Sequence, residues 1–207
     1  MGQVFNRRRQ MGGCEYKQVE WIQNVSRNSY IPTNYKVPSG CQKLVVQAKL
    51  CFTEVTGTRQ LTGADNAQWI GMDSSGKWDF SGSTNVAVML NQFYECENRV
   101  FINAQGKRQN DSFVDNVLVN SITSSATSIN QNFQYIFNIN YYRPDYAMLG
   151  KISNYRIYID DVLRRDYIPC ISPSNKVGMY DLVTDSFHTT PAGDAFVAGP
   201  KIQNLKI

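Results

Sequence analysis

The sequence predicts an all-β protein: a two-sheet antiparallel β-sandwich preceded by a short basic arm. Short runs with apolar residues at every second position recur along the chain. Turn residues punctuate those runs about every eight to twelve positions, the spacing of a sandwich. Tyr, Phe, Val, Ile, Asn and Ser are plentiful while Glu and Leu are sparse, which favours strands and polar loops over helices. Two successive hairpins near the C-terminus mark an antiparallel sheet that closes late. At 207 residues the chain suits one domain large enough to bury a sizeable core.

Residues 1–15, MGQVFNRRRQMGGCE, read as an arm: Gly2, Gly12 and Gly13 loosen it, Arg7, Arg8 and Arg9 solvate it, and nothing apolar is periodic. Such a segment orders on a partner rather than by itself. The domain is expected over 16–207. Lys17 to Ile22 alternates into a first strand, and Tyr30-Ile31 precede Pro32, which suits an edge. Val37-Pro38-Ser39-Gly40 is a turn. Lys43 to Phe52, KLVVQAKLCF, is the richest apolar run and is expected at the sheet centre. Gln68 to Met72 and Lys77 to Phe80 flank Asp73-Ser74-Ser75-Gly76, a four-residue hairpin loop with Asp at its favoured first position. Trp69 and Trp78 are expected to face one another across that hairpin.

Asn85 to Leu90, Gln92 to Tyr94 and Arg99 to Asn103 continue the β pattern, while Glu95 to Asn98 reads as a loop. The Ser/Thr/Asn-rich stretch from Val114 to Asn132 predicts one short strand and a long polar loop. Phe133 to Ile139 is a strand, and Tyr141 to Leu149 an aromatic-rich loop. The closing units follow. Tyr155, Ile157 and Ile159 alternate with polar positions, Asp160-Asp161 turns the chain, and Val162 to Ile168 returns until Pro169 stops the run. Lys176 to Val183, the Thr184-Asp185 turn and Ser186-Phe187-His188 make the second hairpin.

The order GKISNYRIYIDDVLRRDYIPC, then VGMYDLVTDSFH, then a small-residue turn and FVAGP, resembles a concanavalin-A-like, laminin-G-type jelly-roll module common in bacteriophage virion proteins. VEWI and SYIPTNY resemble the first strands of the same module, so the likeness runs from about Tyr16 to Pro200. It implies a jelly roll displayed on a virion, as capsid decoration or head fibre, assembled in the cytoplasm of a bacterial host. It also implies a homo-oligomer, anchored to other virion proteins by the arm and adhering to host or mucosal glycans. The alternative it implies is a tail-fibre or receptor-binding carbohydrate module, or a polysaccharide-cleaving enzyme. One fold hosts many functions, so chemistry must come from residues.

Net charge is +4, with three of the cations in Arg7–Arg9. No nucleic-acid module follows that run, so a protein neighbour is the expected partner and nucleic acid is not. No apolar stretch approaches the roughly 20 residues of a membrane helix, and no apolar core follows the first charges as in a secretory signal. The five cysteines, Cys14, Cys41, Cys51, Cys96 and Cys170, are odd in number and irregularly spaced, which predicts reduced, mostly buried thiols.

Glycoside hydrolysis needs two carboxylates facing each other across the scissile bond, and Glu95-Cys96-Glu97 is the nearest pair. It lacks a glucanase signature, and no enzyme is expected. His188 is the lone histidine, at a position where the resembled module often has Tyr, and no nucleophile turn accompanies it. No metal cluster is evident. Calcium remains open through Asp111 with Asp115, or Asp145, as laminin-G-type modules hold it. Sugars present apolar ring faces and hydroxyls, which aromatic, amide and Arg side chains match. Tyr141, Tyr142, Arg143, Asp145 and Tyr146 unite those types in one loop, and Trp69 and Trp78 are the other carbohydrate-binding candidates.

Overall fold

Alternation of buried and exposed side chains builds two sheets that share one apolar core. The structure, a computed structural model, describes residues 16–55, 59–64, 68–138, 147, 149–191 and 196–202. Arg7, Arg8 and Arg9 lie outside the described residues, as does the expected arm to residue 15. Among the described residues every regular element is a strand. The first eight are β1 (Lys17–Gln18), β2 (Ile22–Gln23), β3 (Ile31–Lys36), β4 (Lys43–Phe52), β5 (Arg59–Ala64), β6 (Gln68–Met72), β7 (Lys77–Asp79) and β8 (Ser83–Ala87). Then come β9 (Tyr94–Ile102), β10 (Arg108–Val114), β11 (Val117–Thr123), β12 (Phe133–Ile136) and β13 (Gly150–Ile159). The chain finishes with β14 (Val162–Ile171), β15 (Val177–Asp181), β16 (Ser186–His188) and β17 (Val197–Ala198).

The larger sheet runs β11-β10-β9-β4-β13-β14-β15-β16, with β1 beside β14, β2 beside β13 and β17 beside β2. The smaller runs β3-β12-β5-β6-β7-β8. The named strands pair antiparallel throughout, giving the expected jelly-roll-like sandwich. β4 sits between β9 and β13, the central place its apolar run predicts. Leu44, Val46, Ala48, Leu50 and Phe52 of β4 face inward with Ile152, Tyr155, Ile157 and Ile159 of β13. Ile31, Leu61, Ile70, Met72, Trp78, Phe80 and Ile136 answer from the smaller sheet. Each such side chain stabilises the fold by about 1.5–3 kcal/mol relative to exposure.

A polar bridge crosses this core. The Tyr155 hydroxyl donates to Gln134 Oε1 at 3.5 Å, and Gln134 Nε2 donates to Gln68 Oε1 at 3.0 Å. Nearby, Tyr167 donates to the Thr33 carbonyl at 3.1 Å. Burial pushes both phenols well above the ordinary tyrosine value, so they act as donors and stay neutral. A buried polar group without a partner is costly, and these bonds tie one sheet to the other in a fixed register.

The turns follow local chemistry. Asp160 and Asp161 both take positive φ (49° and 64°), the geometry of a two-residue hairpin turn that Asp and Asn tolerate. Asp115 and Asn116 (49° and 66°) form a second such turn, joining β10 to β11. That hairpin's second strand, β11, and the irregular segment after it occupy the stretch from Val114 to Asn132 that the sequence reads as one short strand and a long polar loop. At the predicted Asp73–Gly76 loop, Asp73 Oδ1 accepts from the Ser75 and Lys77 amides at 2.8 and 3.0 Å. The four cysteines among the described residues, Cys41, Cys51, Cys96 and Cys170, are buried and free.

Candidate functional site

A groove of about 470 Å³ lies on the outward face of the larger sheet, away from the core. Its floor comes from the register of four central strands. Phe113 of β10 stands opposite Glu97 of β9, Glu97 opposite Gln47 of β4, and Gln47 opposite Arg156 of β13. Arg156 in turn stands opposite Asp166 of β14. Directly opposed residues of antiparallel strands share a face, so these five form one strip perpendicular to the strands. Lys49 opposite Glu95, and Asn154 opposite Lys49, add a second row. A register shift between Ile152 and Asn154 inserts an extra residue that aims Asn154 outward.

The polar heads are tied to one another. Gln47 Nε2 donates to Glu97 Oε2 at 2.7 Å, and Arg99 Nε pairs with the other oxygen of Glu97. Arg156 Nε donates to Asp166 Oδ1 at 2.9 Å. Partial burial pulls the Arg156 pKa down, but the Asp166 bond more than offsets it, and the guanidinium sits above its ordinary value. Lys49 Nζ lies 3.3 Å from Glu95 Oε1. Asn154 Oδ1 accepts from the Lys49 amide at 3.0 Å. The Arg99 guanidinium stacks 4.3 Å from the centre of the Phe113 ring, an attraction of cation and ring face. Asn116, held in the β10–β11 turn, lines the same end. The groove is therefore a preset array of donors and acceptors with an aromatic wall.

Glu95 and Glu97, read from sequence as a loop, belong to β9, a long strand next to the sheet centre. They share a face, as an extended segment requires, but Lys49 holds one and both oxygens of the other are engaged. Neither stands in an apolar pocket: polar and charged side chains of Lys49, Gln47 and Arg99 surround them. Cys96 reaches the groove from beneath. Its burial pushes the thiol well above its ordinary value, so it presents no thiolate nucleophile.

Trp78 is not a carbohydrate platform. It is fully buried, stacked on Phe80 at 5.5 Å and edge-on to Phe52 and Tyr94 at 5.3 and 5.1 Å. Its strand alternation turns it inward opposite Met72. Trp69 does not face it. Trp69 occupies the opposite face of β6 from Ile70 and Met72 and is half-buried beside Asp79. Tyr141, Tyr142, Arg143, Asp145 and Tyr146 lie outside the described residues. Asp111 and Asp115 are engaged locally: Asp111 accepts from Ser121 and Gln109, and Asp115 from the Glu95 amide. Among the described residues no group of three or more His, Cys, Asp or Glu side chains could hold a metal. His188 is half-buried, accepts or donates at 2.8 Å with Ser186 Oγ, and rests edge-on to Tyr167.

The residues that sequence reading passed over are Gln47, Arg99, Phe113, Asn154 and Arg156. Each is an outward position in an alternating strand. Alternation identifies the face, but only register shows that strands far apart in sequence bring these five together.

No family model and no curated protein matches the sequence. Among solved structures the chain is similar to a candidate carbohydrate-binding protein of Bacteroides ovatus. The match has a TM-score of 0.57 at 12% identity and covers 89% of this chain. The chain spans 62% of the length of that protein. At this identity the likeness shows the fold alone, a two-sheet antiparallel β-sandwich.

Proposed function

We propose that this protein is a carbohydrate-binding β-sandwich that works without catalysis, and that the outward groove of the larger sheet is its binding face. The observation that carries the proposal is the strip Phe113–Glu97–Gln47–Arg156–Asp166. It joins an aromatic wall to amide, guanidinium and carboxylate groups already held in place, so little side-chain entropy is lost on binding. Hydroxyls both donate and accept, which suits a surface carrying both kinds of partner. The Bacteroides ovatus protein of similar fold supports the same reading. The pairing of Glu95 with Lys49, and of Glu97 with Gln47 and Arg99, weighs against hydrolysis.

The resemblance to bacteriophage virion modules supports a setting for this activity: display on a phage particle, as capsid decoration or head fibre. In that setting Arg7–Arg9 anchor the domain to a neighbouring subunit, and repeated copies turn weak contacts into avidity. Cryo-electron microscopy of particles made with and without the protein tests the setting, which fails if particles are unchanged and the protein never co-purifies. Calorimetric titration with oligosaccharides, using the native protein and Arg156→Ala, tests the groove. Loss of binding in the variant with unchanged folding supports it, and unchanged binding refutes it.

A further inference from the structure

Resting on the groove as the binding face, we infer that its ligand is an uncharged, extended glycan read across several sugar units. The charge pattern argues for the absence of charge. Recognition of a uronate or sulfate depends on Arg or Lys groups whose donors are open to the anion. Here each cation already faces a carboxylate: Arg156 with Asp166, Arg99 with Glu97 and Lys49 with Glu95. Three cations against three carboxylates leave no net attraction for an anion. An acidic sugar laid in the groove would bring its charge against Glu95 and Glu97, whose charges already balance the cations there. A hydroxyl brings no charge. Gln47 uses its amide nitrogen on Glu97 and keeps its carbonyl oxygen, while Asn154 uses its oxygen and keeps its amide nitrogen. The pair thus offers one acceptor and one donor.

The direction of the strip argues for extension. It crosses five strands, β10 to β14 by way of β9, β4 and β13. Neighbouring strands are about 4.8 Å apart, so polar groups recur at nearly the length of one pyranose over a span of about 19 Å. A single sugar meets only one or two of them. A chain of three or four meets the strip from the Arg99–Phe113 stack to the Arg156–Asp166 pair.

Titration with neutral β-linked oligosaccharides of one to six units (gluco-, xylo- and manno-series), and with oligogalacturonates of equal length, tests this at low and high salt. The expected result is binding to a neutral series that tightens up to three or four units, then levels, and is indifferent to salt. Phe113→Ala and Arg156→Ala should each weaken it about tenfold, with thermal unfolding unchanged. Tighter, salt-sensitive binding of the oligogalacturonates, still weakened by Phe113→Ala, would overturn the inference and leave the groove as the binding face. Monosaccharide binding as tight as that of the hexamer would overturn the extended reading alone. Binding indifferent to both substitutions, or none to either series, would overturn the groove itself.

Discussion

Replacing Trp78 separates a core residue from a sugar platform. The side chain is fully buried among Phe52, Phe80 and Tyr94, so Trp78→Ala removes packing and leaves a cavity. Such truncations cost about 3–5 kcal/mol, a large share of the roughly 5–15 kcal/mol that holds a domain together. For a chain of this size each kcal/mol shifts the melting temperature by about 2–4 °C, so a fall of about 6–20 °C is expected. Trp78→Phe gives a sharper comparison. It keeps an aromatic ring in the cluster and removes the indole N–H, which is buried without a hydrogen-bond partner. Relief of that donor offsets part of the lost volume, and the net cost should be about 1–2 kcal/mol. Differential scanning calorimetry measures both, and titration with an oligosaccharide that the native protein binds measures affinity. A Trp78→Ala variant that melts like the native protein but no longer binds would refute the core assignment.

Other expectations follow from single sites. Burial raises the Asp79 pKa above the ordinary 3.8, with Trp69 and the Gly82 amide working against it. The folded state then holds a proton that the unfolded chain gives up, so stability falls as pH rises through that window. Asp79→Asn should melt at or above the native temperature at pH 7 and lose that advantage below about pH 4. A large destabilisation at pH 7 would contradict this. His188 is the opposite case: burial depresses it below 6.5, with Arg165 adding to the effect and Asp181 and a backbone bond to Pro32 opposing it. Its contribution is present above 6.5 and lost as pH falls toward the folded value. Urea midpoints from pH 7 to 5 should therefore drop less in His188→Gln than in the native protein. Burial pushes the Cys170 thiol up to about 12, so a thiol reagent at pH 7 should label this position only after denaturation. Gly63 has φ +129°, and a Cβ there would meet the Gln68 carbonyl oxygen at 2.0 Å. Gly63→Ala should cost about 1–3 kcal/mol in a urea titration, and a neutral outcome would contradict this.

The fold was legible where its signals are local. Asp160-Asp161 and Asp73–Gly76 announce their turns by residue type, and the apolar run Lys43–Phe52 announces a central strand. Asp115-Asn116 carries the same chemistry, but Val117-Leu118-Val119 after it is a continuous apolar run that gives way to Asn, Ser and Thr, and β11 is mostly exposed, so no apolar alternation frames it. Trp78 was also legible in principle. In Lys77-Trp78-Asp79-Phe80 the polar residues share one face, which leaves the two rings to the core. Glu95 and Glu97 were hidden because Glu and Asn are poor strand formers, although Tyr94, Cys96 and Val100 alternate behind them. The groove itself was out of reach. Gln47 and Arg156 become neighbours only because β4 and β13 pair across more than one hundred residues, and a single sequence does not carry lateral register.

The most direct test of the central claim is a crystal structure of the protein with a bound neutral tetrasaccharide. Sugar density is expected along the strip from Phe113 to Asp166, with hydroxyls bonded to Gln47, Asn154 and Arg156. Density seated instead on the smaller sheet near Trp69, with the groove empty, would contradict it.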